Sequence, residues 1–292
     1  MNEKIKWMIK PLYFKMQHVL MFIPDEQYLK IRYRIKIGRK LDLNNPVTYN
    51  AKLQYLKLYD RNPEYTKYAD KIAVKKIVSD MIGDEYVIPT IGVWEKFDDI
   101  NLDELPEKFV LKCTHDSGSF IICDDRRKFN LKFAKRKIDA EMSRNFYWLG
   151  RQEQYKNIPR RIIAEPYIGD KCGLNDYKFF AFDGDIKAMY IASNRGKAGG
   201  TRFDFYDMDF NHLDFSNGHP NSESPLEKPR NFEQMVKLAK TLSEGFRHVR
   251  VDFYESKDKV YFGEFTFYHM DGMSKFEPEV WDYRFGEWLR ID

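Results

Sequence analysis

The sequence predicts an α+β protein with mostly antiparallel sheets, and three observations carry that expectation. Strand and helix signals alternate along the chain without the regular parallel strand-helix-strand rhythm. A hairpin is marked over 177–192, where Asp183-Gly184 sits between two apolar runs. Two further strand signals, 248–255 and 259–268, are separated only by a short polar turn. With 292 residues, 43% hydrophobic and 16% aromatic, the chain can bury a core of two or three packed subdomains and does not read as disordered.

Taken in order, residues 5–23 come first. Trp7, Met8, Ile9, Leu12, Tyr13, Met16, Val19, Leu20 and Met21 are interrupted by Lys6, Lys10, Lys15 and His18. The lysines recur too often for a spanning helix, and no small-residue cleavage site follows. The spacing suits a basic amphipathic helix, either resting on a membrane surface or packed on the body of the protein. Residues 1–60 read as helices broken by Pro11, Pro24 and Pro46. Asp70 is placed to cap a helix over 71–82, which Gly83 ends in the left-handed region. Strands are expected at 86–91 and 109–113, then a turn at 116–119 and an apolar run at 120–123. Residues 131–148 read as a helix with a basic outer face, and 161–168 as a buried strand. The stretch 193–202, with Gly196, Gly199 and Gly200, reads as mobile, and 211–230 as polar loop. Phe232, Met235, Val236, Ala239, Leu242 and Phe246 recur at helical spacing, and a short helix closes the chain around 281–289.

Charge and cysteine usage exclude several classes. Lysine and arginine total 49 against 45 acids, a net charge of +4, with no basic run interleaved with aromatics. That balance does not describe a nucleic-acid reader. Cys113, Cys123 and Cys172 form no metal-spaced pair and fit reduced thiols of a cytoplasmic protein.

Four groups of residues point to chemistry. In the last hairpin Arg250 and Asp252 alternate with apolar Val249, Val251 and Phe253, while Glu264 and Thr266 share a face of the second strand. A hairpin centred on residue 258 sets Asp252 directly opposite Glu264, with side chains about 5 Å apart. Facing carboxylates destabilise a sheet unless a cation lies between them, and Mg²⁺ is a natural occupant; screening by solvent or Arg250 is the plainer account. Second, Lys112 ends a strand just before Ser117, Gly118 and Ser119, a lysine and a loop of backbone N–H groups suited to phosphates, although most such turns merely connect strands. Third, the apolar run before Glu165-Pro166-Tyr167-Ile168-Gly169-Asp170 is a strand that offers backbone groups to an adenine edge and an acid to a ribose, or simply a solvated strand end. Fourth, Lys71, Lys178, Arg195, Arg202 and Arg250 are cations available to a triphosphate. His115 and His269 lie inside these motifs but have no second histidine at ligand spacing.

The order of these pieces resembles the ATP-grasp superfamily, and within it the teichuronopeptide-biosynthesis (TupA-like) family. The likeness runs from about Leu41 to the C-terminus through Asn45-Pro46-Val47-Thr48-Tyr49-Asn50, Asp70-Lys71, the strand and lysine of 105–113, residues 158–165, Asp176-Tyr177-Lys178-Phe179-Phe180, Arg250-Val251-Asp252-Phe253-Tyr254 and 261–268. The resemblance implies a nucleotide held between two α+β subdomains, with an N-terminal helical segment over 1–65 and the ATP-grasp region over 66–292, divided into a lysine and phosphate-loop part (105–170) and a metal-binding part (171–292). It implies that Lys71 and Lys112 reach phosphates, that Glu165, Tyr167, Ile168 and Asp170 belong to the adenine hinge, and that Lys178 meets the triphosphate. Asp252, Glu264 and Thr266 then correspond to magnesium ligands, and Arg250 to the arginine at the transferring phosphoryl group. Three positions depart from the family: Asp116 stands where the phosphate loop usually has glycine, His269 where proline follows the last strand, and Ala51 where glutamate is common. Asp116 is expected to be unfavourable beside phosphates unless it turns outward.

The activity implied is an ATP- and Mg²⁺-dependent carboxylate–amine ligation through an acyl phosphate. The family context suggests a uronic acid carboxylate, free or polymer-linked, in capsule or cell-wall polysaccharide synthesis, with the glycine-rich 193–202 stretch as lid and Arg195 and Arg202 meeting anions. The expected location is the cytoplasm, with the N-terminal basic helix as a route to the inner face of the membrane. Alternatives are a kinase acting on a sugar hydroxyl, a glycosyltransferase using Asp207-Met208-Asp209 as a metal motif, and a polysaccharide-binding module without activity.

Overall fold

The structure is a computed structural model, and it describes residues 21–169, 174–195 and 199–291. The N-terminal helix reading over 5–20, together with Asp170, Cys172 and Gly196, lies outside the described residues.

Helix α1 (Asp25–Ile37) and helix α2 (Tyr49–Tyr59) open the fold. Thr48 caps α2 by accepting from the Ala51 N–H at 3.4 Å, and α2 is buried on most sides, Gln54 and Lys57 included. A short helix α3 (Tyr65–Ala69) leads to α4 (Ala73–Ile82). Asp70 accepts from the Ile72 N–H at 3.0 Å in the turn that leads into α4, whose N-cap position is Ile72 and carries no side-chain cap, and Gly83 takes an extended positive-φ conformation (φ 113°, ψ 154°) and not the left-handed helical one.

The smaller sheet has the order β1-β4-β2-β3, antiparallel throughout, from β1 (Gly92–Trp94), β2 (Phe109–Cys113), β3 (Phe120–Cys123) and β4 (Ile162–Pro166). Phe109, Leu111 and Cys113 of β2 turn inward against Ala134 and Ile138 of helix α5 (Leu131–Met142), which leaves Lys112 on the opposite face. The larger sheet has the order β11-β10-β5-β6-β7-β8: β5 (Asp176–Phe182), β6 (Asp185–Ser193), β7 (Arg202–Tyr206), β8 (His212–Leu213), β10 (His248–Ser256) and β11 (Lys259–Thr266). Helix α7 (Phe232–Ser243) covers one face of it, packing Phe232, Met235, Ala239 and Leu242 into a core with Phe179, Val251 and Phe253. Near β5 the other face carries an aromatic cluster of Tyr49, Phe180, Phe182, His248 and Phe285, so the aromatic content serves the core. Within the 211–230 stretch expected as loop, β9 (Ser216–Asn217) forms a two-stranded ladder with β12 (Phe276–Glu277). Helix α8 (Val280–Trp288) ends the fold.

Two-residue turns close the β5–β6 and β10–β11 hairpins of the larger sheet. Asp183 and Gly184 have φ of 48° and 80°, and Lys257 and Asp258 have φ of 51° and 63°. A strand at 86–91 is not found: residues 84–86 form a tight turn, Pro89 lacks the N–H a ladder needs, and pairing starts only at Ile91, whose N–H donates to the Ala164 carbonyl at 2.8 Å. The helix expected over 131–148 ends at Met142, because the Asn145 side chain accepts from the Tyr147 N–H at 3.0 Å and starts a separate turn, α6 (Tyr147–Gly150). Among the described residues no helix is long and apolar enough to cross a membrane. Cys113 and Cys123 are free and buried.

Candidate active site

Asp252 does lie opposite Glu264, though not by the route the spacing suggested. The turn is centred between Lys257 and Asp258, and that centre alone would pair Asp252 with Gly263. A bulge at Gly263 shifts the register by one and restores the Asp252–Glu264 pair, with Arg250 opposite Thr266. A Cβ at Gly263 would lie 3.1 Å from the Asp252 carbonyl oxygen, so the bulge is built on close backbone approach. On the other side β5 sets Lys178 opposite Asp252, and β6 sets Tyr190 opposite Lys178. Cross-strand partners share a face, so Asp176, Lys178, Tyr190, Arg250, Asp252, Glu264 and Thr266 form one polar strip.

The contacts in this strip are dense. Arg250 Nε donates to Asp252 Oδ1 at 2.7 Å, and Nη2 donates to Asp252 Oδ2 at 2.7 Å and to Thr266 Oγ1 at 2.9 Å. Arg250 Nη1 stands 2.7 Å from His269 Nδ1. Lys178 Nζ donates to Asp252 Oδ2 and lies 3.5 Å from Asp176 Oδ2, which Arg195 also meets. Glu264 is the open member, its side chain 39% exposed and 3.8 Å from Arg250 Nη2. Burial opposes the charge on Asp252, but Arg250 and Lys178 overcome it and hold the carboxyl below its ordinary range. Burial likewise opposes the charge on Lys178, and Asp176 and Asp252 raise its pKa in spite of it.

A second cluster forms on the open face of the smaller sheet. Lys112 Nζ donates to Glu165 Oε2 at 2.5 Å, and Lys75 Nζ of α4 lies 2.5 Å from Glu165 Oε1. Glu165 is buried, which works against ionisation, yet the two ammonium groups pull its carboxyl below the usual value. Sequence reasoning paired Lys71 with Lys112; the structure brings Lys75 to Lys112 instead. Lys71 turns to the phosphate-type loop, where Nζ donates to the Asp116 carbonyl and the backbone N–H to the Thr114 carbonyl at 3.4 Å. Lys71 and Lys75 are four apart in sequence, a spacing that marks a shared helix face, but only the fold shows which of them meets Glu165.

Asp116 does not turn outward. It is buried, accepts from the Ser119 hydroxyl and lies 3.9 Å from Lys71 Nζ, so its charge is satisfied inside the loop while Ser117 and Gly118 remain exposed at the tip. His115 is buried against α5, Nε2 lying 3.3 Å from the Glu141 carbonyl, and burial pushes its pKa down to about 4. Tyr167 and Ile168 continue from β4 toward the larger sheet, where Ser256 donates to the Ile168 carbonyl at 2.5 Å. Arg202 Nη1 donates to the Asn221 carbonyl at 3.3 Å and takes no part in the Asp176–Arg195 contact. Asp207 accepts from the Asp209 and Asn211 N–H groups at 3.0 and 2.8 Å, which makes it a turn-former.

Nothing in the sequence singled out Tyr155. It is buried, and beyond burial its phenol is pushed up by Glu264, Asp116 and Asp252, against the pull of Arg250. One side chain thus senses acids from three separated segments.

The donor set suits a hard divalent cation, since Asp252, Glu264 and Thr266 offer only oxygen. Among the described residues no group of three or more His, Cys, Asp and Glu side chains is assembled for a metal. These residues would therefore hold Mg²⁺ only together with phosphate and water oxygens.

Comparison with known proteins places the arrangement. No curated protein matches the chain. Among solved structures it is similar to D-alanine–D-alanine ligase from Helicobacter pylori (15% identity, TM-score 0.45, covering 83% of this chain and 69% of that one). It is similar also to L-amino acid ligase from Bacillus licheniformis (13%, TM-score 0.45, 84% and 55%) and N5-carboxyaminoimidazole synthetase from Staphylococcus aureus (12%, TM-score 0.41, 68% and 44%). The chain thus spans less than two thirds of the length of the last two. The assignment rests instead on the family model for TupA-like ATP-grasp proteins, which matches residues 51–290. This chain belongs to the TupA-like ATP-grasp family.

Proposed function

We propose that the chain is an ADP-forming carboxylate–amine ligase that uses ATP and Mg²⁺. The observation that carries this reading is the face-to-face pair Asp252 and Glu264, already flanked by Arg250 and Lys178 on one strip of the larger sheet. A polyanionic nucleotide needs several cations, and this reading assigns it Lys71, Lys75, Lys112, Lys178 and Arg250.

A carboxylate oxygen of the substrate attacks the γ-phosphorus of ATP, the bond to the β,γ-bridging oxygen breaks, and ADP leaves. Two anions must meet for this, so the lysines offset their repulsion and Arg250 takes up charge on the equatorial oxygens. Bound Mg²⁺, held by Asp252 and Glu264 with Thr266, would supply further charge neutralisation at the phosphates. The amine nitrogen then attacks the acyl carbon, the carbon–oxygen bond to phosphate breaks, and the amine proton passes to solvent or base. The acid we favour is a uronic acid carboxylate of a capsular or cell-wall polysaccharide, at the cytoplasmic side of the membrane.

ADP release with ATP, Mg²⁺ and a panel of uronic acids and amines tests the reading. Hydroxylamine in place of the amine should give a hydroxamate; a stable phosphorylated product would instead identify a kinase. Glu264→Gln is expected to abolish turnover while circular dichroism stays unchanged, and normal turnover would remove Glu264 from the site.

A further inference from the structure

Asn217 determines the tautomer of the histidine behind Arg250. Its amide nitrogen lies 3.1 Å from the Ser274 carbonyl oxygen and 3.0 Å from that of Lys275, and carbonyls only accept, so this end is the NH₂ group. The amide oxygen therefore faces His269 Nε2, at 2.9 Å. An amide oxygen only accepts, so Nε2 carries a proton. Arg250 Nη1, at 2.7 Å from Nδ1, can only donate, so Nδ1 is a bare lone pair. The two requirements agree on one species, a neutral imidazole protonated at Nε2.

The surroundings hold that species in place. Asn217 belongs to β9 and pairs with Phe276 of β12, and it is 1% exposed. His269 is also 1% exposed and sits edge-on to Phe180 and Tyr190, with ring centroids at 4.9 and 5.5 Å. Burial first, then Arg250 and His248 on β10 and Lys178 on β5, push its pKa well below the ordinary value.

We propose that His269, locked by Asn217 as the Nε2–H tautomer, is a positioning residue that aims Arg250 at the transferring phosphoryl group; this deepens the ligase reading above and rests on it. Among the described residues Arg250 has three hydrogen-bonding side-chain partners, Asp252, Thr266 and His269. The first two have a second duty toward the divalent cation. His269 has none, so it is the anchor that stays when the cation arrives. It holds one Nη1 hydrogen, Asp252 and Thr266 take the Nε and Nη2 hydrogens, and among the described residues nothing takes the second Nη1 hydrogen, which is offered to an incoming phosphoryl oxygen.

Two measurements on the full chain test this. Long-range ¹H–¹⁵N spectra of the histidine side chains at neutral pH, with His269 assigned by its loss in His269→Gln, should show Nε2 protonated and Nδ1 unprotonated. A Nδ1–H tautomer or an imidazolium overturns the lock, whether or not the protein turns over ATP. In the ADP-release assay His269→Phe should lower kcat about 10²-fold, the effect expected when a reacting group is misplaced by about 1 Å, with the KM for ATP little changed. His269→Gln, whose amide oxygen offers Arg250 an acceptor, should recover most of that loss. An unchanged kcat, or a loss confined to KM, overturns the proposal. If His269→Phe fails to fold by circular dichroism, Asn217→Leu replaces it, with the same kcat loss expected and an unchanged kcat again decisive against it. A wild-type protein that releases no ADP with any acid and amine sinks the ligase reading, and the spectrum still decides the tautomer.

Discussion

Glu165 shows how much a single residue depends on what folds around it. From sequence it is an acid at a strand end, suited to a ribose or an adenine edge. In the fold its two carboxylate oxygens meet Lys75 and Lys112, and it is buried. Breaking a buried ion pair by removing one partner typically costs about 3–5 kcal/mol, more than forming it contributes, because the survivor is left uncompensated. Both lysine side chains keep some exposure, 16% and 22%, so the cost here falls below that range. Lys75→Met should therefore destabilise the fold measurably in urea and also raise the Kd for ATP by about tenfold or more, the loss of one charge-assisted contact. Lys75→Met with wild-type ATP affinity by calorimetry would take that residue out of the nucleotide site.

Histidines give the residue scale a pH dependence. His248 is buried, donates through Nδ1 to the Ala181 carbonyl at 2.7 Å and accepts the Tyr49 hydroxyl at Nε2, 2.9 Å away. Burial pushes its pKa down to about 4 from 6.5. Between those values the unfolded chain binds a proton that the folded chain does not. Stability should fall as pH drops from 6.5 toward 4, by about 3 kcal/mol for this group at the lower limit. Denaturation midpoints measured across that window should show a shallower decline in His248→Gln. An identical slope would mean that His248 titrates normally in the folded state.

At the scale of elements, the β10–β11 hairpin carries the most. Its two-residue turn and its Gly263 bulge compensate each other, and only together do they oppose Asp252 and Glu264. Gly263→Val should cost about 1–3 kcal/mol through crowding of the Asp252 carbonyl and Tyr254 ring. It should also lower activity more than the stability loss explains, because the register at Asp252 moves. Denaturant melts alongside ADP-release rates check both parts.

The same hairpin shows what was legible in the sequence and what was not. Alternation put Arg250 and Asp252 on one face, a local and periodic feature; counting from an assumed centre at residue 258 reached the Asp252–Glu264 pair only because the bulge offsets the true position of the turn. The bulge was invisible because a glycine in a strand does not announce which residue it displaces. The Asp183-Gly184 hairpin was readable because left-handed backbone at a two-residue turn selects such residues. The strand expected at 86–91 failed on Pro89, whose missing donor outweighed the apolar pattern. Lys75 was missed because its partner lies on a strand about 90 residues away, and Tyr155 because it matters only where three distant segments meet. Asp116 was misjudged because its proton-donating neighbour, Ser119, could be recognised only once the loop closed on itself.

The whole molecule is tied behind the site by Asp271, just past the end of β11. Its side chain accepts from Lys57 of α2, Arg32 of α1 and Gln152 beyond α6, the last two at 2.5 and 2.9 Å. Lys57 is fully buried, and burial lowers its pKa to about 8 even with Asp271 beside it. Asp271→Asn leaves that ammonium without its counter-charge. The expected cost is about 3 kcal/mol, read from urea unfolding at neutral pH. The loss should shrink as pH rises through the range where Lys57 is neutral in the folded protein. A variant as stable as wild type would show that the helices are held to β11 by packing alone.

Asp252, finally, grips both Arg250 and Lys178. The strip is thus an electrically quiet place in which the cations already stand in formation. The work of crowding like charges together is done once, as the chain folds, and need not be repeated at every catalytic cycle. An arriving polyanion has only to loosen that internal truce, so its affinity should depend less on ionic strength than that of a surface lined with solvated lysines.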